Sequence, residues 1–186
     1  MARLVIAGLI ATALALPAAG LARASSVGPA KASARQVALD RLAGRGPVVL
    51  ATAVAESYWN AVPCGGQITV LTDLPVPASL EPTTDGWVTF DSSLGENDLE
   101  APAGTYTQCT ISLAHWQWPT RKAMVDDWNM FCLTVTHEVG HLLGHKHSLI
   151  PGSVMAPVFT NEANVPEICR TTRVSLGRTA ARRRDH

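Results

Sequence analysis

Several features that mark other classes of protein are absent from this sequence. It contains no internal repeats, and its 15 basic and 15 acidic residues leave a formal net charge of +0 at pH 7. A balanced chain gives no electrostatic reason to expect a nucleic-acid partner. After residues 1–24, no apolar run is long enough to cross a bilayer. We therefore expect a soluble protein with no stable membrane span once the N-terminal segment is removed.

Residues 1–24 have the three parts of a secretory signal peptide. Arg3 supplies the positive charge, Leu4–Leu16 is the apolar stretch, and Ala22–Ala24 reads A-R-A, a cleavage site of the A-x-A type. An uncleaved membrane anchor is the alternative, but an apolar stretch of about a dozen residues is short for a bilayer. We predict a secreted, extracellular protein whose mature chain starts near Ser25.

The rest of the chain divides into three segments. Residues 25–46 are rich in alanine and arginine and are predicted to be a linker, a short helix or a short pro-segment. Residues 47–170 contain the apolar periodicity of one compact domain. Residues 171–186 form a basic tail that we expect to be disordered. The alternative for the tail is contact with an anionic cell wall or membrane surface.

Residues His137–His147 carry most of the functional information. They read H-E-x-x-H-x-x-G-x-x-H. On a helix, His137 and His141 share one face, where both imidazoles can bind one zinc ion. Gly144 falls where a residue with positive φ would end the helix, and the reversed chain would bring His147 back as a third ligand. Three protein ligands leave a coordination position open, as in catalytic zinc sites.

Glu138 follows the first of these histidines, where its carboxylate can act as general base toward a water activated by zinc. His145 is an alternative to His147 as the third ligand, although the spacing from Gly144 favours His147. The alternative for the whole motif is a helix with a solvated cluster of histidines.

The motif resembles the signature of the metzincin metalloproteases. Members of that family also have a Met-turn beneath the zinc ligands, and Ser153–Pro157, which reads S-V-M-A-P, places Met155 at that position. Ser148 after the third histidine is similar to the matrixin-like group. Astacin-like members have glutamate there and a tyrosine after the turn, and this chain has neither. The resemblance covers residues 129–159; an ordinary core methionine is the alternative for Met155.

Hydrophobic periodicity places the helices and strands. Helices are predicted at Val48–Trp59 and Ala123–Leu143, and strands at Gln67–Leu74, Trp87–Phe90 and Tyr106–Ala114. The fold class is α+β. The resemblance implies a metzincin-like zincin domain, with a small twisted mixed sheet packed on an active-site helix and a second helix. Tyr106–Ala114 is a candidate for the edge strand along the cleft, and an internal position fits it equally well.

Four cysteines in an exported chain predict two disulfides: Cys64, Cys109, Cys132 and Cys169. Of the three possible pairings we favour Cys64–Cys109, between two strand candidates, and Cys132–Cys169, between the active-site helix and the segment after the Met-turn. Cys64 lies in the sequence P-C-G, which is also similar to the cysteine switch of matrixin zymogens, but the residues that flank that switch are missing.

The resemblance implies a secreted zinc endopeptidase that acts on peptides or proteins as a monomer and uses one catalytic zinc ion. Residues 157–159 (P-V-F) indicate an apolar pocket for the substrate residue after the scissile bond. The chain departs from typical matrixins because it has no recognisable pro-domain, no second H-x-D zinc site and no Asp-rich calcium loop. Calcium dependence and a zymogen step are therefore left open.

Two other functions compete with this one. The first is an exported binding or cell-surface interaction protein that keeps zinc only to brace its fold. A purely structural zinc site of that kind does not need the Glu138 carboxylate. The second is a zinc amidase that acts on cell-wall peptides, which the sequence does not distinguish from a protease.

Overall fold

A computed structural model describes residues 34–92, 106–159 and 162–174. The expected signal peptide, the first part of segment 25–46 and the basic tail beyond residue 174 lie outside the described residues.

The described residues form helices packed on a small sheet, an α+β arrangement. The helices are α1 (Ala34–Leu42), α2 (Pro47–Trp59), α3 (Arg121–Asp126), α4 (Trp128–Leu142) and α5 (Glu167–Thr171). The strands are β1 (Ile68–Leu74), β2 (Gly86–Ser92) and β3 (Tyr106–Ala114), and short 3₁₀ turns occupy Ala43–Arg45, Pro63–Gly66 and Glu162–Asn164. Within this part of the chain, every helix is too short or too polar to cross a bilayer.

The sheet has the strand order β1-β3-β2. The central strand, β3, pairs in parallel with β1 and antiparallel with β2. Of the two positions that the sequence left open for Tyr106–Ala114, the internal one is correct and the edge position is wrong. Strand β2 is an edge strand, and it contacts α4. The physical reason is main-chain pairing: the backbone groups of β3 bond to β1 on one side and to β2 on the other, so β3 has no free edge for a substrate.

Helices α2 and α4 pack against each other and form most of the core. Their buried apolar residues include Leu50, Ala51, Val54 and Ala55 of α2 and Phe131, Val135, Val139 and Leu142 of α4. Pro47 occupies the first turn of α2, where its missing N–H costs nothing, and Asn60 ends the helix in the left-handed conformation. Helix α1 contacts α2 and buries Leu39, so the described end of segment 25–46 is a short helix packed on the core.

The predicted single helix Ala123–Leu143 is instead two helices separated at Asp127. Asp127 has φ −108° and ψ 40°, outside the helical range. Its Oδ2 accepts hydrogen bonds from Trp118 Nε1 (3.2 Å) and Gln117 Nε2 (3.4 Å). Short polar side chains that bond outside the helix favour such boundaries. The predicted core face is confirmed, since its members are all buried: Met124, Trp128, Phe131, Val135, Val139 and Leu142.

All four cysteines are in disulfides, with the pairing that the sequence analysis favoured. Cys64–Cys109 joins the Pro63–Gly66 turn to β3, and Cys132–Cys169 joins α4 to α5. Trp128 Nε1 also donates to the carbonyl oxygen of Cys169 (2.9 Å). Helix α5 is therefore held to α4 by a covalent bond and a buried hydrogen bond. Because Cys64 is paired, the structure does not have the cysteine-switch arrangement.

Candidate metal centre

Helix α4 ends in a turn that returns the chain toward its own histidines. The N–H of Gly144 donates to His141 O (2.9 Å), and the N–H of His145 donates to Gly140 O (2.9 Å). This pair of bonds is a Schellman motif, which requires a left-handed residue just past the helix end. Gly144 meets that requirement with φ +86°. The turn directs the following residues back along the helix, so His147 approaches the two histidines of α4.

The side chains of His137, His141 and His147 converge on one point and form a group that could hold a metal ion. His141 Nε2 lies 3.0 Å from His137 Nε2 and 3.2 Å from His147 Nε2. Nitrogens bound tetrahedrally to one zinc ion at roughly 2.0–2.1 Å lie about 3.3 Å apart. The three donor atoms therefore fit a single zinc ion.

Backbone carbonyls orient two of these imidazoles. His137 Nδ1 donates to Val154 O (2.8 Å), and His141 Nδ1 donates to His145 O (2.8 Å). A carbonyl oxygen can only accept, so each Nδ1 carries the proton and each Nε2 presents its lone pair to the cluster. Burial lowers the pKa of His137 to about 4 and also lowers the pKa of His141. Both rings are therefore neutral at pH 7, the form that binds metal.

Glu138 is buried where α4 meets the edge strand β2, and only 4% of it is exposed. A Cβ atom on Gly86, the first residue of β2, would lie 3.2 Å from Glu138 Oε1. Burial, and to a lesser extent the neighbouring charge of Asp85, raises the pKa of Glu138 to about 8. A cation held by the adjacent histidines would favour the ionised carboxylate.

Met155 lies in a tight turn that packs against α4. Its N–H donates to Ser153 Oγ (3.1 Å), and its carbonyl accepts from the N–H of Ser148 (2.8 Å). A Cβ on Gly140 would lie 2.5 Å from Met155 Sδ, so the sulfur contacts α4 between its two histidines. Asn164 Nδ2 donates to Ser153 O (2.7 Å) and ties the turn to the chain before α5. The sequence analysis missed Asn164, because no local pattern marks such a distant contact.

The two other histidines among the described residues, His115 and His145, lie outside the cluster. The His145 ring stacks on Trp59, with centroids 4.3 Å apart and planes at 20°. His115 pairs with Asp73 at the end of the sheet. The sequence analysis missed the proximity of Trp59 to the site, because helical periodicity assigns that residue only to a face of α2.

An apolar cavity of about 350 Å³ follows the third histidine. Its lining includes Ser148–Gly152, Ala156, Pro157 and Val158. Phe159 packs edge-to-face on the His137 ring, with centroids 5.3 Å apart. The residues after the Met-turn therefore border both the histidine cluster and a space for an apolar group.

An α+β domain in which one helix and its terminal turn direct three imidazoles to one point, next to a Met-turn, is a zincin of the metzincin type. The matrixin family model matches residues 81–169, which contain the histidine cluster, Glu138 and Met155. This part of the chain is a matrixin-like metzincin domain, which confirms the predicted family and fold. Matrixins are zinc metallopeptidases, so the match identifies a zinc metallopeptidase domain in general terms. No curated protein and no solved structure matches the chain.

Proposed function

We propose that the chain is a secreted zinc endopeptidase in which His137, His141 and His147 bind one catalytic zinc ion. One observation carries this proposal. His141 Nε2 lies 3.0 Å from His137 Nε2 and 3.2 Å from His147 Nε2, and the buried Glu138 directly follows His137. A site that only braced the fold would not need a buried carboxyl with a raised pKa beside its ligands.

Glu138 is the proposed general base and acid. Bound zinc would supply positive charge that polarises the scissile carbonyl and lowers the pKa of the attacking water and of Glu138. The Glu138 carboxylate would take the proton of that water and deliver it to the leaving amine. Its place under β2 keeps bulk water away from the carboxylate, which strengthens its electrostatic interactions.

Strand β2 is the proposed binding strand for the substrate main chain, in place of Tyr106–Ala114. It forms one edge of the three-stranded sheet, and its first residue, Gly86, contacts Glu138. An extended peptide that pairs with this edge would pass directly beside the catalytic carboxyl. The cavity next to Val158 would then accept an apolar side chain of the substrate, after the scissile bond.

We also propose that export delivers this enzyme to an oxidising compartment as a monomer. Two disulfides suit such a compartment, and the signal-like residues 1–24 supply a route to it. The peptidase domain would occupy residues 47–170, preceded by segment 25–46 and followed by the basic tail 171–186.

The test is the zinc content and peptide turnover of the mature protein beside its Glu138→Gln variant, which has nearly the same shape. We expect one zinc per chain in both proteins, and chelator-sensitive cleavage of a quenched peptide library by the wild type alone. Cleaved peptides should carry an apolar residue after the cut. Restoring the chelated enzyme with zinc, with and without calcium, determines whether calcium is required.

Other outcomes would contradict specific parts of the proposal. Normal turnover by the zinc-loaded Glu138→Gln variant would exclude Glu138 as the base. One zinc per chain without cleavage of any peptide would contradict the endopeptidase. Assays with cell-wall peptides would then separate an amidase from a zinc-braced binding protein.

A further inference from the structure

Trp59 is the last residue of α2 and lies against the active-site helix. Its Nε1 donates to Thr136 O (2.8 Å). A Cβ on Gly140 would lie 2.8 Å from Trp59 Cζ2, so the indole also contacts α4 there. Thr136 directly precedes His137, and Gly140 directly precedes His141. The indole is therefore fixed to α4 at two points, each next to a proposed metal ligand.

His145 connects this indole to the second ligand. Its ring stacks on Trp59, with centroids 4.3 Å apart and planes at 20°. Its backbone carbonyl accepts the hydrogen bond from His141 Nδ1 (2.8 Å). His145 is an exposed residue of the turn after α4. Burial therefore does little to fix the conformation of the His145 side chain. Stacking on the aromatic ring of Trp59, which is itself fixed, restricts that conformation.

We infer that the Trp59–His145 stack is a positioning device for His141. Trp59 holds the His145 side chain, which keeps the His145 carbonyl on the His141 Nδ1–H. That hydrogen bond sets the tautomer and the direction of the His141 ring, so its Nε2 points at the metal position. Neither Trp59 nor His145 touches the metal in this arrangement. The inference rests on the proposed zinc site, but it does not depend on which substrate the site cleaves.

The affinity of the protein for zinc reports on the positioning of His141, and its measurement requires no substrate. The mature protein and its variants would compete with a chromophoric chelator for zinc. We expect His145→Ala and Trp59→Leu each to weaken zinc binding about 10-fold, a typical loss when an outer partner of a metal-binding histidine is removed. His145→Phe keeps a ring that can stack but has no ring nitrogen, and we expect it to retain nearly the wild-type affinity.

Tyr58→Leu is the matched control. Tyr58 neighbours Trp59 in sequence and contacts its ring edge-on, with ring centroids 5.0 Å apart. Tyr58 is not a member of the histidine cluster. We expect this variant to bind zinc as the wild type does. The visible absorption of the cobalt-substituted protein gives a second measurement: the spectrum should change in His145→Ala and stay the same in His145→Phe.

Two results would overturn the inference. If His145→Phe loses zinc as fully as His145→Ala, His145 acts through its ring nitrogen and is a ligand. If His145→Ala, an exposed substitution that leaves the core intact, binds zinc with wild-type affinity, the stack positions nothing. The endopeptidase proposal fails separately, because a protein that cleaves no peptide can still show the predicted order of zinc affinities.

Discussion

Gly86 lies close to the Glu138 side chain, at the junction between the edge strand β2 and helix α4. A Cβ on Gly86 would lie 3.2 Å from Glu138 Oε1 and 3.0 Å from Cγ2 of Thr134, one turn earlier in α4. Both distances are shorter than ordinary van der Waals contacts of a Cβ atom. The absence of a side chain at Gly86 therefore allows β2 to approach the proposed general base this closely.

The first prediction concerns Gly86→Ala. The added methyl group should displace the Glu138 carboxyl by a few tenths of an ångström, and kcat should fall on the order of 10-fold because catalysis is sensitive to small misplacements. Zinc content should not change. Steady-state kinetics on a cleaved peptide measure this. Adding Thr134→Ser, which removes the methyl group nearest to the new Cβ, should restore part of kcat. A wild-type kcat in Gly86→Ala would show that Glu138 has more room than the contact implies.

The second prediction concerns Gly140→Ala. The new Cβ would lie 2.5 Å from Met155 Sδ and 2.8 Å from Trp59 Cζ2, so both side chains must move. We expect the free energy of unfolding to fall by about 1–3 kcal/mol, as for other overpacked cores. Urea unfolding of the metal-free protein measures the loss. Gly44→Ala is the control, because nothing lies within 4 Å of its Cβ position, and its effect should stay within about 0.5 kcal/mol.

The sequence predicted the parts of the site that depend on local geometry. Helical spacing places His137 and His141 on one face, and Gly144 supplies the positive φ of the turn that brings back His147. These relations involve residues within about three helical turns of one another, so the motif alone determines them. The core face of α4 is predictable for the same reason.

The parts that the sequence did not predict depend on distant residues. Asp127 ends α3 because its carboxylate bonds to Trp118 and Gln117, and hydrophobic periodicity does not detect such bonds. Strand order is equally non-local: the pattern of β3 indicates burial but not which strands lie beside it. The contact of Trp59 with Thr136 spans 77 residues and has no local signature.

The third prediction compares the two disulfides. Replacing either pair by alanine should lower the free energy of unfolding by about 2–5 kcal/mol, because the two closed loops are of similar length. Only Cys132→Ala with Cys169→Ala should also weaken zinc binding. That bridge holds α5, and Asn164 just before α5 ties down the Met-turn. Calorimetric unfolding and chelator competition measure the two effects. Equal zinc affinities in the two double variants would contradict a link between α5 and the site.

The fourth prediction concerns the stability of the metal-free protein as a function of pH. The lowered pKa of His137 contributes stability that is complete above 6.5 and is lost as the pH falls through about 4. The raised pKa of Glu138 contributes stability that is complete below 4.5 and is lost as the pH rises through about 8. Of these two groups, only Glu138 changes stability between pH 6.5 and 8.

We therefore expect the unfolding free energy of the chelated protein to fall over that interval by a value on the order of 2 kcal/mol. Denaturant unfolding at pH 6.5 and pH 8 measures the change. Glu138→Gln, which does not titrate, should show no such fall. An equal fall in the variant would assign the effect to another group.

The Cys132–Cys169 disulfide also closes a covalent ring of chain that contains the site residues. The chain between these residues contains all three clustered histidines, Glu138 and Met155, so the proposed catalytic machinery lies inside one covalent ring. A single backbone cut within the ring would open it without releasing a fragment. If the enzyme nicks its own copies there, the damaged molecule would keep its ligands on one connected polymer. Such a nick would change electrophoretic mobility only after reduction.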